Sequence, residues 1–106
     1  MKGLRSFIGM PLLLEAMVDT DEGVRAVAAT YLGIIHEDPT AAVPLLAQAL
    51  QDPDVTVRRA SATALGSFGS QAAEAVPALR KAAGDQQDPD LAREAGRAIV
   101  AVSGTK

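Results

Sequence analysis

A pattern of residue types returns about every 33 positions along this 106-residue chain and leaves few folds open to it. The stretch 52–69 begins with two aspartates, continues with a valine and an arginine, and reaches a Leu-Gly pair. The stretch 19–33 has the same residue types in the same order, and a weaker third copy follows between 88 and 99. Repetition at a fixed period of this length indicates supersecondary units stacked one after another.

The segments that precede these copies repeat as well, because a proline followed by leucine or alanine recurs at Pro11, Pro44 and Pro77. No segment alternates with period two, so each unit is predicted to be a pair of helices, A and then B, without a strand. The predicted A helices cover 10–18, 40–50 and 71–83, and the predicted B helices cover 22–35, 54–67 and 90–102. The three units are 10–36, 40–69 and 71–102, with residues 1–9 as a lead-in.

One face of each B helix is predicted to build the core between hairpins, because its apolar residues recur at helical spacing. In the first B helix these residues are Val24, Ala28, Tyr31, Leu32 and Ile35. In the other two they are Val57, Ser61, Ala64, Leu65 and Phe68, and then Leu91, Ala95, Ala98, Ile99 and Val102. Aromatic residues make up only 3% of the chain, so the core requires helices that approach each other closely.

The residues at 52–66 read Asp-Pro-Asp-x-x-Val-Arg-x-x-Ser-Ala-x-Ala-Leu-Gly, and this pattern resembles the HEAT-repeat family. The short, alanine-rich units are similar to its bacterial branch, the PBS-lyase HEAT-like repeats, over residues 10–102. The third unit departs from the family's pattern at Ala92 and Val100, where arginine and glycine are expected. The resemblance implies an all-α fold, an α-solenoid of about three HEAT-like hairpins in one domain over 1–106. Such an armadillo-like superhelix has A helices on its convex face and B helices on its concave face, and it usually binds another protein.

The residue types that carry chemistry are sparse in this sequence. There is no cysteine, and therefore no disulfide or thiolate site. The aspartates at the A–B turns are predicted to cap the B helices and to hold Arg25 and Arg58. A calcium loop would need more ligands than these turns supply. His36, the single histidine, has no evident acid or nucleophile beside it. We therefore predict no catalytic residue, no metal and no cofactor.

A partner-binding site is predicted on the concave side of the B helices. Its candidate residues are Thr30, Arg59, Thr63, Arg93 and Arg97. The three arginines suit an acidic peptide or an acidic protein surface. The formal net charge of −3 and the scarcity of aromatic residues make nucleic acid an unlikely partner. No stretch approaches the roughly 20 apolar residues of a membrane helix, so no membrane partner is predicted.

The two ends of the stack lack the polar caps that repeat proteins usually need. The first A helix is apolar on nearly all sides, and the last B helix carries an apolar stripe. A homo-oligomer, in the simplest case a dimer, is therefore predicted to form end to end. The candidate residues for this contact are Leu13, Leu14, Met17, Ile99 and Val102.

The function predicted from these features is that of a non-catalytic protein–protein interaction scaffold, located in the cytoplasm. Two alternatives stay open at this point. The resemblance to the bacterial branch suggests an accessory or subunit of a bilin lyase that acts on phycobiliproteins. Some solenoids of this broad kind bind DNA, which gives the second alternative. Fold alone does not decide among these functions.

Overall fold

The computed structural model describes residues 2–104 of the chain, and the side chains of residues 9–104. Within the described range the chain forms six α-helices, one 3-10 helix and no strand. The helices are α1 (Lys2–Ala16), α2 (Glu22–Ile35), α3 (Pro39–Ala49), α4 (Val55–Phe68), the 3-10 helix (Gly69–Ala75), α5 (Val76–Ala83) and α6 (Pro89–Ser103). The predicted all-α fold is confirmed.

The helices are arranged in two layers. The B helices α2, α4 and α6 pack against one another in chain order and form the first layer. The A helices α1, α3 and α5 form the second layer, and each contacts the B helix that follows it. The result is a flat stack of hairpins with principal extents of 40 × 32 × 17 Å. Adjacent hairpins therefore meet mainly through their B helices.

The B helices approach closely because small residues lie where they cross. A Cβ added to Gly33 of α2 would be 2.8 Å from the Cα of Ala64 in α4. A Cβ added to Gly66 of α4 would be 3.3 Å from the Cα of Ala98 in α6. Larger apolar residues such as Leu65 fill the space between the layers and are fully buried. The close approach expected from the low aromatic content is therefore found at both crossings.

The first helix is longer than predicted. The sequence predicted a lead-in over 1–9 and a helix from 10, whereas α1 already begins at Lys2. The prediction was wrong because it put Pro11 in the first turn of a helix, where a missing N–H costs nothing. In the structure the helix runs through Pro11, and α3 likewise runs through Pro44. Residue 1 lies outside the described residues.

The third A helix is interrupted. The sequence predicted one helix over 71–83, whereas the chain forms the 3-10 helix first and α5 afterwards. The backbone at Ala72 departs from helical geometry, with φ −99° and ψ 20°. Pro77 lacks the N–H that an α-helix would direct to the carbonyl of Ala73, and this favours a tighter turn before it.

The predicted core face of the B helices is buried in α4, whereas in α2 part of it is exposed. Val57, Ala64 and Leu65 of α4 are buried, as expected. Val24 and Tyr31 of α2, by contrast, are 40% and 50% exposed, so their assignment to the core was wrong. These two side chains are exposed because no B helix among the described residues packs against that side of α2.

Candidate protein-binding surface

Aspartates begin two of the B helices in the same way. Asp21 accepts hydrogen bonds from the N–H groups of Gly23 and Val24, at 2.7 and 3.1 Å. Asp54 accepts from the N–H groups two and three residues after it, at 2.9 and 3.1 Å. A carboxylate in this position satisfies N–H groups that have no partner within the helix and faces the positive end of its dipole. The predicted capping role of these aspartates is confirmed.

The α2–α4 crossing is joined by a two-pronged ion pair. Arg25 donates from Nε to Oδ2 of Asp52 at 2.8 Å and from Nη2 to Oδ1 at 3.0 Å. Its remaining Nη1 donates to the carbonyls of Asp19 and Thr20, at 2.8 and 3.1 Å. Arg25 therefore ties the turn of its own unit to that of the next, as the sequence predicted.

The charge state of Asp52 reflects these bonds. Burial raises the pKa of Asp52. The hydrogen bonds from Arg25 and from the N–H of Asp54 lower this pKa, and together they outweigh the effect of burial. The net pKa of Asp52 lies below its ordinary value. The same ion pair raises the pKa of Arg25. Both groups are therefore charged at neutral pH.

The α4–α6 crossing is joined by a different arginine. Arg59 donates from Nη2 and Nε to Oδ1 of Asp88, at 2.9 and 3.2 Å. The same Oδ1 accepts from the N–H of Leu91 at 3.1 Å, so Asp88 also caps α6. Asp88 is only 4% exposed, and its pKa is lowered chiefly by Arg59. This pair was not predicted, because the arginine expected to hold the turn aspartates is Arg58, the residue before Arg59.

Arg58 is the residue that corresponds to Arg25, yet it makes a much weaker contact across its crossing. Its Nη2 lies 4.0 Å from Oδ2 of Asp88, and its Nη1 donates to the carbonyls of Asp52 and Pro53. The Nε of Arg58 and the Oδ2 of Asp88 are buried without a hydrogen-bond partner. A cavity of about 600 Å³, lined in part by Arg58, Lys81 and Asp88, lies beside them.

The residues predicted for partner binding lie on the surface of the B helices, and we call them the B-helix surface: Thr30, Arg59, Thr63, Arg93 and Arg97. Thr30, Thr63 and Arg97 occupy equivalent positions of α2, α4 and α6, and all three are exposed. Arg59, Thr63 and Arg93 line one groove of about 360 Å³ between α4 and α6. Thr63 and Arg97 line an adjoining groove of about 230 Å³. The structure thus brings the four residues of α4 and α6 together.

The two arginines that α6 contributes to this surface are paired with carboxylates of the same helix. Arg93 lies 3.1 Å from Asp90, and both side chains are more than half exposed. Arg97 lies 3.8 Å from Glu94 and is 72% exposed. Exposed pairs of this kind contribute about 0–1 kcal/mol each. The surface is therefore balanced in charge, and Arg93 and Arg97 can exchange partners at little cost.

The residues predicted for self-association are only partly on the surface. Leu13, Leu14 and Ile99 are half-buried against the core. Met17 and Val102 are 5% and 2% exposed, so the chain's own core already covers them. The prediction missed exposed apolar residues on α2, two of which, Val24 and Tyr31, helical periodicity had assigned to the core.

Neither the histidine nor the carboxylates form a site with evident chemistry. His36 ends α2 in the left-handed conformation, and its ring lies edge-on to Phe68 at 6.4 Å. Its Nδ1 lies 3.1 Å from the carbonyl of Ile34. Among the described residues, no group of three or more acidic or histidine side chains is placed to hold a metal ion. In the same part of the chain no helix is long and apolar enough to cross a membrane.

Stacked helical hairpins are what defines the class of α-solenoid proteins, and in this chain arginine–aspartate pairs tie successive turns together. A model of HEAT repeats matches residues 10–100, and the chain therefore belongs to the HEAT-repeat family. Members of this family usually bind protein partners and are generally not enzymes. No curated protein sequence matches the chain. Membership of the PBS-lyase branch stays a prediction.

Proposed function

We propose that this chain is a non-catalytic scaffold that binds a segment of a protein partner along the B-helix surface. The observation that carries the proposal is the groove in which Arg59, Thr63 and Arg93 meet between α4 and α6. Arg97 extends this groove along α6. A binding surface of a repeat protein is built in this way, from equivalent positions of successive helices.

Arg93 and Arg97 give the groove its preference for an acidic segment. Arg59 is held by the buried Asp88, whereas Arg93 is held by the exposed Asp90 and Arg97 by the half-buried Glu94 at 3.8 Å. A partner carboxylate in the groove replaces such a weak pair by one that is shielded from water, and charge-assisted bonds are stronger there. The balanced charge of the free groove makes the attraction short-range, so binding depends on contact rather than on steering.

The experiment is a titration of the isotopically labelled chain with a short glutamate-rich peptide, monitored by amide chemical shifts. We expect the amides of 59–63 and 93–97 to shift, and the R93E/R97E double variant to lose the shifts. The matched control is R80E/K81E, which reverses two exposed charges on α5 and should bind as the unaltered chain does.

Three outcomes would overturn the proposal. The first is an equal response to a lysine-rich peptide, because that response would not depend on the arginines. The second is a spectral change of added bilin without any response to the peptide, which would support the bilin-lyase alternative. The third is a salt-dependent shift of duplex DNA, which would support the DNA-binding alternative. The cytoplasmic location expected from the sequence stays a prediction.

A further inference from the structure

Apolar exposure in this molecule is concentrated in the first hairpin. Among residues 9–104, seven large apolar side chains are exposed, and six of them lie between 12 and 34. Four of the six form a stripe on α2, which we call the α2 stripe: Val24, Val27, Tyr31 and Ile34, exposed by 40%, 55%, 50% and 64%. A helix of a stable monomer usually turns such a stripe toward its core.

The α2 stripe lies on the side of α2 that faces away from α4. At 100° per residue, Gly33 lies about 140° around the helix from the centre of the stripe. Gly33 is the residue that contacts Ala64 of α4. Tyr31 stands 33 residues before Ala64, so the two residues have equivalent positions in their helices. The α2 stripe is therefore on the side of α2 that is equivalent to the side of α4 that α2 covers.

Another HEAT hairpin does not fit this side of α2 with the spacing found inside the stack. At both crossings an alanine of the later helix lies against a glycine of the earlier one, Ala64 against Gly33 and Ala98 against Gly66. At the equivalent place α2 carries Tyr31, whose ring would hold a preceding helix several ångströms further away. Tyr31 thus favours an occupant other than a repeat of the same close-packed kind.

The opposite end of the stack does not complement the stripe either. The exposed face of α6, which also borders the grooves shared with α4, carries Arg93, Arg97 and Val100, and both arginines are more than half exposed. Head-to-tail association of two chains would place these arginines against an apolar surface, and the loss of their hydration disfavours that contact. Two copies of the α2 stripe, in contrast, complement each other in chemistry.

The spacing of the stripe suits another helix. Its residues are separated by three, four and three positions, which is the spacing of a helix-to-helix seam with a small crossing angle. In an antiparallel pair Val24 would face Ile34 of the partner subunit, and Val27 would face Tyr31 of the partner subunit. Each contact then joins a smaller side chain to a larger one, and the two helix dipoles oppose each other. Such self-complementarity is what a two-fold interface requires.

We infer that the α2 stripe is a homodimer interface, in which α2 packs antiparallel against α2 of a second copy of this chain. The interface differs from the end-to-end contact through Leu13, Leu14 and Ile99 that the sequence predicted. The interface shares no residue with the B-helix surface, so a test of the interface does not decide the proposed function.

The first test is the solution mass by light scattering after size exclusion, over a range of concentrations. The unaltered chain should have twice its own mass of 10.9 kDa at the highest concentration. The variants V27E and I34E should weaken dimerisation by at least about tenfold, because each places a charge against apolar side chains of the partner subunit. Both side chains are exposed within one chain, so circular dichroism should show the variants folded.

The matched control is V100E, which places the same charge at a valine that is 51% exposed, similar to Val27 at 55%. It should leave the mass unchanged, because Val100 lies at the other end of the stack. A monomer at all concentrations would overturn the proposal. So would a dimer that V27E and I34E leave intact, which would point to another surface.

The second test fixes the orientation and uses the fact that the chain has no cysteine. A disulfide forms only where the Cα atoms come within about 7 Å. A mixture of V24C and I34C should therefore form a disulfide between the two variants under mild oxidation, whereas each variant alone should not. Efficient linkage of V24C to itself would mean a parallel pair and would overturn the antiparallel arrangement.

Discussion

The two B-helix crossings of this molecule use the same kinds of residues and yet are built differently. At the α2–α4 crossing two aspartates have separate roles, because Asp52 pairs with Arg25 and Asp54 caps α4. At the α4–α6 crossing Asp88 does both, holding Arg59 and capping α6 with a single oxygen. One carboxylate therefore has both roles at the second crossing, where Nη2 of Arg59 also lies 3.6 Å from Oδ2 of the exposed Asp90. A buried oxygen of Asp88 and a buried nitrogen of Arg58 lack a hydrogen bond there.

The crossings also differ in how tightly the helices fit. The space above Gly33 is closed by the backbone of Ala64, at 2.8 Å from an added Cβ, whereas above Gly66 the nearest atom is 3.3 Å away. The first crossing is thus tighter in packing and more completely paired in charge. The repeat therefore preserves the kind of contact between units and not its details, because each turn offers its own set of aspartates.

Removal of Asp88 should produce the largest difference between the crossings. We expect D88A to lower the midpoint of urea unfolding about as much as the double variant D52A/D54A, because one carboxylate has the two roles that are divided at the first crossing. The single variant D54A should lose about 1 kcal/mol, the usual effect of removing a helix cap. A midpoint for D88A no lower than that of D54A would contradict the double role of Asp88.

A methyl group at Gly33 should be the next largest effect. The added Cβ would overlap the backbone of Ala64, and forced overpacking costs roughly 1–3 kcal/mol. Within a helix, replacing glycine by alanine by itself stabilises the fold by roughly 0.5–1 kcal/mol, which offsets part of this cost. We therefore expect G33A to reduce the free energy of unfolding by about 1–2 kcal/mol, measured by urea unfolding. A stabilised variant would show that the α2–α4 crossing is looser than the structure has it.

Acid should weaken both crossings together. The folded-state pKa values of Asp52 and Asp88 are lowered, so each group stabilises the fold above its unfolded pKa of about 3.9. That contribution is lost as the pH falls through the folded pKa. We expect the urea midpoint to be level near neutral pH and to fall below about pH 4. The D88N variant should show a shallower fall, and an unchanged slope would contradict the role of Asp88.

The smallest effect is expected for the same methyl group at the second crossing. At Gly66 the added Cβ would have contacts of 3.3 and 3.4 Å, which Ala98 can relieve by a slight shift. The gain in helix propensity then offsets the strain, so G66A should change the free energy of unfolding by less than about 0.5 kcal/mol. Equal losses for G33A and G66A would remove the difference in packing between the two crossings.

The periodicity alone determined much of this protein. The 33-residue period placed three helix pairs, and the Asp and Arg positions predicted the capping by Asp21 and Asp54 and the bridge from Arg25. These features depend on neighbours along the chain or on the next repeat, and both are visible in a repeating sequence. The path of α1 through Pro11 was not predicted, because a proline fits either the start or the interior of a helix at different cost.

The packing of the helices in three dimensions, and not the repeat, determines which of two equivalent positions is buried. Tyr31 and Ala64 have the same place in their helices, yet Tyr31 is half exposed and Ala64 is covered by α2. It also determines that Arg59 rather than Arg58 holds Asp88, because that choice depends on where Asp88 lies relative to the two arginines. A repeating sequence specifies what each unit offers to a neighbour, whereas burial and pairing depend on where the neighbour lies.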